Sequence, residues 1–473
     1  MTSPNLSKRA DALDALRGFA VLTMVLSGTI AYKILPPWMY HAQLPPPTHK
    51  FNGNLPGLTW VDLVFPLFLF AMGAAIPLAL SGKIARGWDL KKIIVSILIR
   101  FFLLGSFAII LQHLRPFTLN PTPTSQTWWM AFAGFFIIFF MYVRLPNSIL
   151  PWLRKSLTLA AWTLGIIIIA NWQYVKGIGF DLKRSDIILV VLANVAFFGA
   201  IIWLFTRSNL WLRLGFLGLL LAIGLSSNDD GWIKWLWNQS PVPWIFQFDY
   251  LKYLFIAIPG TIVGDLICSW LELPDRKDES YGNWQARNFY LIVLLSFAIN
   301  LILLIGLQGR WVWQTTLFTA VLGLSGLTLF KNPGNGAEKL LSQLYKWGIF
   351  WLFLGLLFEP YQGGIKKDSA TYSYFFVTTG MAILLLIAFT IIIDVWQKRS
   401  WMALLIDNGM NPMIGYMGFA NLIWPILRLN DWESKIIDFT STPVMGFIRG
   451  VFYTLIVAAV ASLLTKLKLF LRT

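Results

Sequence analysis

The stretch from 38 to 73, WMYHAQLPPPTHKFNGNLPGLTWVDLVFPLFLFAMG, passes directly from a polar loop into an apolar segment and holds two of the three histidines in the chain. Pro45, Pro46 and Pro47 predict a stiff, extended polyproline segment, and Asn52, Gly53, Asn54, Pro56 and Gly57 predict turns that lay the loop back on a membrane surface. Thr59 has the character of an N-cap, with a helix from about 58 to 80 behind it. Asp62 then falls in the first helical turn, where the positive end of the helix dipole favours a carboxylate and the hydrocarbon beyond does not. His49 is 13 residues upstream, so a loop folded over the helix mouth would bring imidazole and carboxylate together. Such a pairing orients a general base.

Outward from this stretch, the composition is that of a membrane protein. Of 473 residues 57% are hydrophobic and only 13% charged, with a mean hydropathy of +0.65, which excludes an ordinary soluble protein. A net charge of +16 would suit nucleic-acid binding in a soluble domain. Here the lysines and arginines lie in short gaps between apolar runs of about 20 residues, so they read as topology signals and no nucleic-acid partner is expected. Many of the 24 tryptophans stand at the ends of those runs, where interfacial belts form. The single Cys268 excludes an internal disulfide and is expected to act as a small buried apolar side chain.

Fourteen apolar runs follow one another: one ending near 32, then 58–80, 92–112, 127–143, 156–173, 187–206, 210–226, 250–271, 287–307, 311–330, 341–358, 373–394, 401–427 and 444–465. Merged or re-entrant middle runs would bring the number of spans as low as 11. The expected fold is all-α, a polytopic integral membrane helix bundle of about 11–14 transmembrane helices forming a single domain over 1–473. Lys8, Arg9 and Arg17 precede the first run without a convincing cleavage site, so that helix is expected to be retained with its start in the cytoplasm. Arg144 with Arg154 and Lys155, Arg207 with Arg213, Lys331 with Lys339, Lys398 with Arg399, and Lys466, Lys468 and Arg472 then fall inside, and both termini are expected to be cytoplasmic. The linker 272–287, ELPDRKDESYGNWQAR, is the most polar and is expected to be a flexible cytoplasmic joint between two helical halves.

Lys83, Arg86, Lys91 and Lys92 are the densest basic cluster of the first half. Topology accounts for them first, and phosphates of an acyl donor second. Asn171, Asn194, Asp265, Asn300, Gln314, Asn411 and Asn421 interrupt apolar runs, and most amides of this kind join helices. Gly73, Gly105 and Gly264 read as helix-packing positions. His41 and His49 lie eight positions apart with three prolines between them and no cysteine nearby, so no metal is expected. No Gly-rich phosphate loop points to nucleotide hydrolysis. His113 reads as an interfacial hydrogen-bonding residue before a catalytic one.

His49, Phe51, Asn52, Gly53, Leu58, Thr59, Asp62, Leu63, Val64, Phe65, Pro66, Phe68, Phe70 and Gly73 form a pattern that resembles the heparan-α-glucosaminide N-acetyltransferase family and its bacterial relatives of unknown substrate. Leu-Asp-Ala-Leu-Arg-Gly at 13–18 is similar to that family's opening motif. Two later segments extend the likeness: Lys366-Lys367 with Thr371, Ser373, Tyr374, Thr378, Thr379 and Gly380, and Asn408-Gly409-Met410-Asn411-Pro412 with Tyr416. It is fullest over 13–105. The resemblance implies a membrane-embedded acyltransferase that takes an acetyl group from cytoplasmic acetyl-CoA to the amine of an amino sugar or related glycan on the outer side. His49 would act as base on the acceptor, or carry the acyl group transiently, with Asp62 orienting it. The family's compact motif has three fewer residues between histidine and threonine, so His41 is the alternative. Lys83, Arg86, Lys91 and Lys92 would hold the donor's phosphates, and Asn52, Lys366, Lys367 and Asn411 would contact the acceptor. The expected setting is the bacterial inner membrane, with the lipid bilayer, acyl-CoA, an acceptor glycan and a second copy of the chain as partners. The rival class is a transporter or flippase of a sugar or lipid-linked sugar, because broken helices and mid-membrane amides also suit alternating access.

Overall fold

The computed structural model describes residues 9–174, 179–273 and 282–472. Helices make up 74% of it, and among the described residues twelve are long and apolar enough to span a membrane. They are α1 (Asp11–Thr29), α2 (Trp60–Ala85), α3 (Leu90–His113), α4 (Ser125–Tyr142), α5 (Pro151–Asn171), α6 (Ile187–Thr206), α7 (Phe248–Leu271), α8 (Ala286–Gln308), α9 (Val312–Phe330), α10 (Gly336–Leu357), α11 (Tyr372–Val395) and α12 (Pro443–Lys466). Hydrocarbon offers the backbone no partner, so a chain this apolar closes its hydrogen bonds within helices. The protein is an all-α, polytopic integral membrane protein.

Two of the fourteen expected runs do not become spans. The helix Leu210–Ser226 has 17 residues, short of a hydrocarbon core about 30 Å thick. The run 401–427 is cut into the helices Ala403–Met410, Pro412–Gly418 and Trp424–Leu429, with a π-helical turn at Phe419–Ile423. The cut falls where Pro412 lacks an N–H and pushes the preceding Asn411 to φ −134°, ψ 54°.

The chain divides into two compact units. Unit 1 comprises the chain up to Ala20, Pro36–Gly82 and Phe255–Gly409; unit 2 comprises Val21–Leu35, Lys83–Leu254 and the chain from Met410. Both described flanks of the polar linker 272–287 belong to unit 1, so the division does not fall there. Residues 274–281 of that linker, like Lys8, lie outside the described residues. Its described end is fastened by the buried Glu338, whose carboxylate accepts the amide protons of Asn283, Trp284 and Gly334 at 3.1, 2.9 and 2.6 Å.

Unit 1 is built around α11. Its segment YSYFFVTTGMAILLLIAFT is apolar on every side, and every residue from Tyr372 to Thr390 is buried, as the absence of a polar face requires. Against it α2 and α7 meet at small residues: a Cβ on Gly73 would fall on the Ala257 carbonyl oxygen, and one on Gly264 on that of Ala74. Two backbones come this close only without side chains between them.

In unit 2, the interrupting amides join segments through backbone carbonyls. Asn194, fully buried on α6, donates to Val190 and Ile245, and Asn421 donates to Leu114 at 2.8 Å. The buried Asp186 caps the N-terminus of α6, pairs with Arg115 at 2.7 Å and accepts the Tyr416 hydroxyl. Asn411 clasps the C-terminal segment: its amide nitrogen donates to the Leu469 carbonyl at 2.8 Å, and its oxygen accepts the Leu471 N–H at 3.1 Å. That clasp holds Phe470–Leu471 in its two-residue antiparallel pairing with Val143–Arg144. Asn411→Ala orphans both backbone groups, and the expected cost is about 1–3 kcal/mol. A lowered melting temperature with earlier proteolysis beyond Lys466 is the predicted readout; an unchanged digestion pattern would show that the clasp does not hold the tail.

Candidate functional site

Helix α2 begins at Trp60 because Thr59 and Asp62 close its first turn. Asp62, the third helical residue, turns its Oδ2 back to accept the Thr59 N–H at 3.0 Å, the reach-back half of a capping box. The same oxygen accepts the Ala42 N–H at 3.2 Å and lies 3.0 Å from the Thr59 hydroxyl, which also stands 2.8 Å from the Tyr40 carbonyl oxygen. The loop is thereby tied to the helix mouth through a carboxylate with no exposure at all. A buried charge needs this number of donors.

The other oxygen, Asp62 Oδ1, lies 3.4 Å from His41 Nδ1. That nitrogen accepts the Gln43 N–H at 3.0 Å, so the neutral ring carries its proton on Nε2 and donates it to Asp368 Oδ2 at 2.8 Å. Side-chain exposures of 0% for Asp62, 13% for His41 and 46% for Asp368 order the three from interior to surface. The sequence set His49 against Asp62, but the carboxylate lies against His41. The reason is the path of the loop. Pro45 to Thr48 turn instead of extending, with the His49 N–H on the Pro45 carbonyl at 3.0 Å. His49 emerges at φ 49°, a left-handed conformation that costs a residue with a side chain about 1–2 kcal/mol. Its ring is buried edge-on against Tyr40, centroid to centroid 4.7 Å.

Asp368 was not among the residues the sequence singled out, although Lys366 and Lys367 immediately before it were. Its loop is pinned from both sides. The Gly57 N–H donates to the Ile365 carbonyl at 2.8 Å, and the buried Glu359 accepts the Ile365 N–H while pairing with Arg310 at 2.7 Å. The backbone N–H of Lys366 donates to the Thr371 hydroxyl, and Tyr374, one turn into α11, donates its hydroxyl to the Asp62 carbonyl at 2.8 Å. Lys366 and Lys367 are half-buried beside this triad's outer member. Asn52 is exposed and spends its side-chain oxygen on the Asn54 N–H, a local turn.

Other candidates sit elsewhere. Asn411, in unit 2, has both ends of its amide committed to the C-terminal segment. His113, also in unit 2, is fully buried, with Nδ1 donating to the Ile109 carbonyl at 2.8 Å and its ring stacked on Phe180. Lys83 donates to Ser96 at 2.9 Å and lies over the Trp88 ring, whereas Arg86, Lys91 and Lys92 are exposed around the turn into α3. Asp62 and Lys83 are in the first and last turns of the same helix, about 30 Å apart along an axis rising 1.5 Å per residue. Among the described residues, no group of three or more His, Cys, Asp and Glu side chains is arranged to hold a metal ion; the phosphate-holding candidates are the exposed cations.

No curated protein matches the chain. Similarity falls instead on a family model that takes in His41, His49, Asp62 and the basic cluster at 83–92 and stops short of Asp368. Because that match runs over residues 9–267, more than half of the 473, the chain belongs to the family described as the domain of unknown function DUF5009.

Proposed function

We propose that the protein is a membrane acyltransferase that moves an acyl group, acetyl in the simplest case, from cytoplasmic acyl-CoA to the amine of an amino sugar or related glycan outside. The observation that carries this reading is His41 between a buried and a half-exposed carboxylate, in a loop over a membrane helix. The Asp368–His41 pair is what an acceptor ammonium would meet first. The Asp368 carboxylate, held by the His41 Nε2–H, takes the ammonium's proton, and the freed lone pair attacks the thioester carbonyl. The amide bond forms as the carbon–sulfur bond breaks, and CoA leaves as the thiol. Asp62, behind the ring, ties the loop that aims the imidazole at Asp368.

The donor side follows from α2, which has Asp62 in its first turn and Lys83, the first residue of the basic cluster, in its last. Arg86, Lys91 and Lys92 suit the CoA phosphates as charge partners; Lys83 contributes less, because Ser96 already holds it. An even number of spans is consistent with both termini on one side, and the basic loops favour the cytoplasm of a bacterial inner membrane. One observation favours the rival reading, transport or flipping of a sugar. The run 401–427 is broken at Asn411–Pro412, as in helices that alternate access.

The test is transfer of labelled acetyl from acetyl-CoA to a panel of amino sugars by the purified protein in detergent. Label should appear in a sugar product, and Arg86→Gln/Lys91→Gln/Lys92→Gln should raise the acetyl-CoA KM with little change in kcat. No label and no CoA affinity, together with labelled sugar crossing vesicles that hold the protein, would replace acyl transfer by transport.

A further inference from the structure

At one end of α5, within unit 2, an open cleft of about 520 Å³ is lined by Arg144, Arg154 and Lys155 together with Thr158, Leu159 and Trp162. Among the described residues three cations line it and no carboxylate does. Arg144 reaches it from the two-residue strand beside Phe470–Leu471, and the Arg154 guanidinium donates to Asn147 Oδ1 at 2.8 Å. The indole N–H of Trp162 is spent on the Met141 carbonyl at 3.2 Å, so the ring offers the cleft its apolar body.

The rest of α5 explains what lies beneath. Ala161, Gly165 and Ile169 form a buried stripe four residues apart, and at Gly165 the helix closes on Ile137 and Met141 of α4. Away from that stripe Leu159 is 69% exposed, and Leu164, Ile166 and Ile167 are exposed with it. On a membrane-spanning helix those side chains face hydrocarbon. A cationic cleft therefore opens directly above a lipid-facing apolar surface. Burial, and next Arg144, hold the nearby Arg472 guanidinium below its ordinary pKa, and an anion among these groups would relieve the like-charge crowding.

We propose that this cleft binds the phosphodiester headgroup of an anionic glycerophospholipid, with its acyl chains laid along the exposed face of α5. Arginine suits a phosphate because its planar fork donates two parallel hydrogen bonds, and a lysine adds a point charge. Basic pockets at the ends of membrane helices take lipid headgroups by this chemistry. A soluble phosphate ester shares the headgroup chemistry but has nothing to place on Leu159 and its neighbours.

The full chain is reconstituted in nanodiscs of phosphatidylcholine, alone or mixed with phosphatidylglycerol, and the lipids retained on release are weighed by native mass spectrometry. Wild type should retain phosphatidylglycerol preferentially. Each cation contributes about a fivefold preference near a membrane surface, so Arg144→Gln/Arg154→Gln/Lys155→Gln should lose on the order of a hundredfold. Lys183→Gln/Lys331→Gln/Lys435→Gln, which removes the same charge from exposed positions elsewhere, should keep the preference. Equal melting of wild type and the cleft variant in pure phosphatidylcholine shows that the variant folds; if it melts lower, Arg144→Lys/Arg154→Lys is used, which should retain the preference. A wild type indifferent to phosphatidylglycerol, or a cleft variant that retains it like wild type, overturns the proposal. So does displacement of the retained lipid by inorganic phosphate or CoA at the same cations, which would make the cleft a site for a soluble phosphate ester.

Discussion

On the proposed acyl transfer, His41→Ala should lower kcat by about 10²- to 10⁴-fold, the range expected when proton-transfer machinery is lost, and should leave the acetyl-CoA KM near its wild-type value. The Gln43 N–H donates to one ring nitrogen at 3.0 Å and the other nitrogen donates to Asp368 Oδ2 at 2.8 Å, so the ring is held at both ends and keeps in place the carboxylate that takes the proton. Asp368→Asn should give a loss in kcat of the same sign, because the amide can accept the Nε2 proton but carries no charge. His49→Ala should leave transfer within about tenfold, since a general base contributes at least 10² and the His49 ring packs edge-on against Tyr40. Steady-state kinetics on the three variants decides the matter. A collapse of kcat in His49→Ala with activity intact in His41→Ala would return the base to His49 and remove the carboxylate pair from the mechanism.

The helix mouth was legible and the histidine that faces it was not, for a physical reason. Thr59 and Asp62 act within one turn of each other, so their capping relation is local and can be read from spacing. Which histidine reaches Asp62 depends on how the proline segment turns, and three prolines in a row suggest extension where the chain reverses at Pro45–Thr48. Asp368 lies 327 residues from His41, and nothing local announces such a contact; Lys366 and Lys367 beside it were the nearest trace. The helices themselves follow from apolar runs, because in hydrocarbon nothing competes with the helical hydrogen bond. Hydropathy alone cannot tell a span from a run such as 401–427, where Asn411 and Pro412 cut the helix without lowering its apolar content. Asn411 read as a ligand-binding amide for the same reason: an interrupted helix leaves backbone groups to satisfy, and here the groups served are those of Leu469 and Leu471.

Gly409→Ala and Gly18→Ala should each destabilise the protein by about 3 kcal/mol or more, at or above the upper end of overpacking costs. The two glycines come from separate motifs, Leu-Asp-Ala-Leu-Arg-Gly at 13–18 and Asn-Gly-Met-Asn-Pro at 408–412, and both lie in unit 1. A Cβ on Gly18 would fall on the Leu405 carbonyl oxygen, and one on Gly409 on that of Asp14. Each atom in the way is backbone on the facing helix, so no rotamer change relieves the clash and the helices must separate. The same junction carries paired charges: Asp14 binds Arg17 and Arg9, both at 2.6 Å, and Asp11 binds Arg399 at 2.7 Å. Separation would pull the second pair apart, because its partners lie on the two sides of the contact. Gly28→Ala is the control on the same helix, since nothing stands within 4 Å of a Cβ there, and its effect should stay within about 1 kcal/mol. Thermal unfolding in detergent, followed by tryptophan fluorescence and size-exclusion chromatography, reads all three. Equal melting of Gly409→Ala and Gly28→Ala would mean that α1 and Ala403–Met410 do not approach at backbone distance, and the small residues of both motifs would then need a reason outside packing.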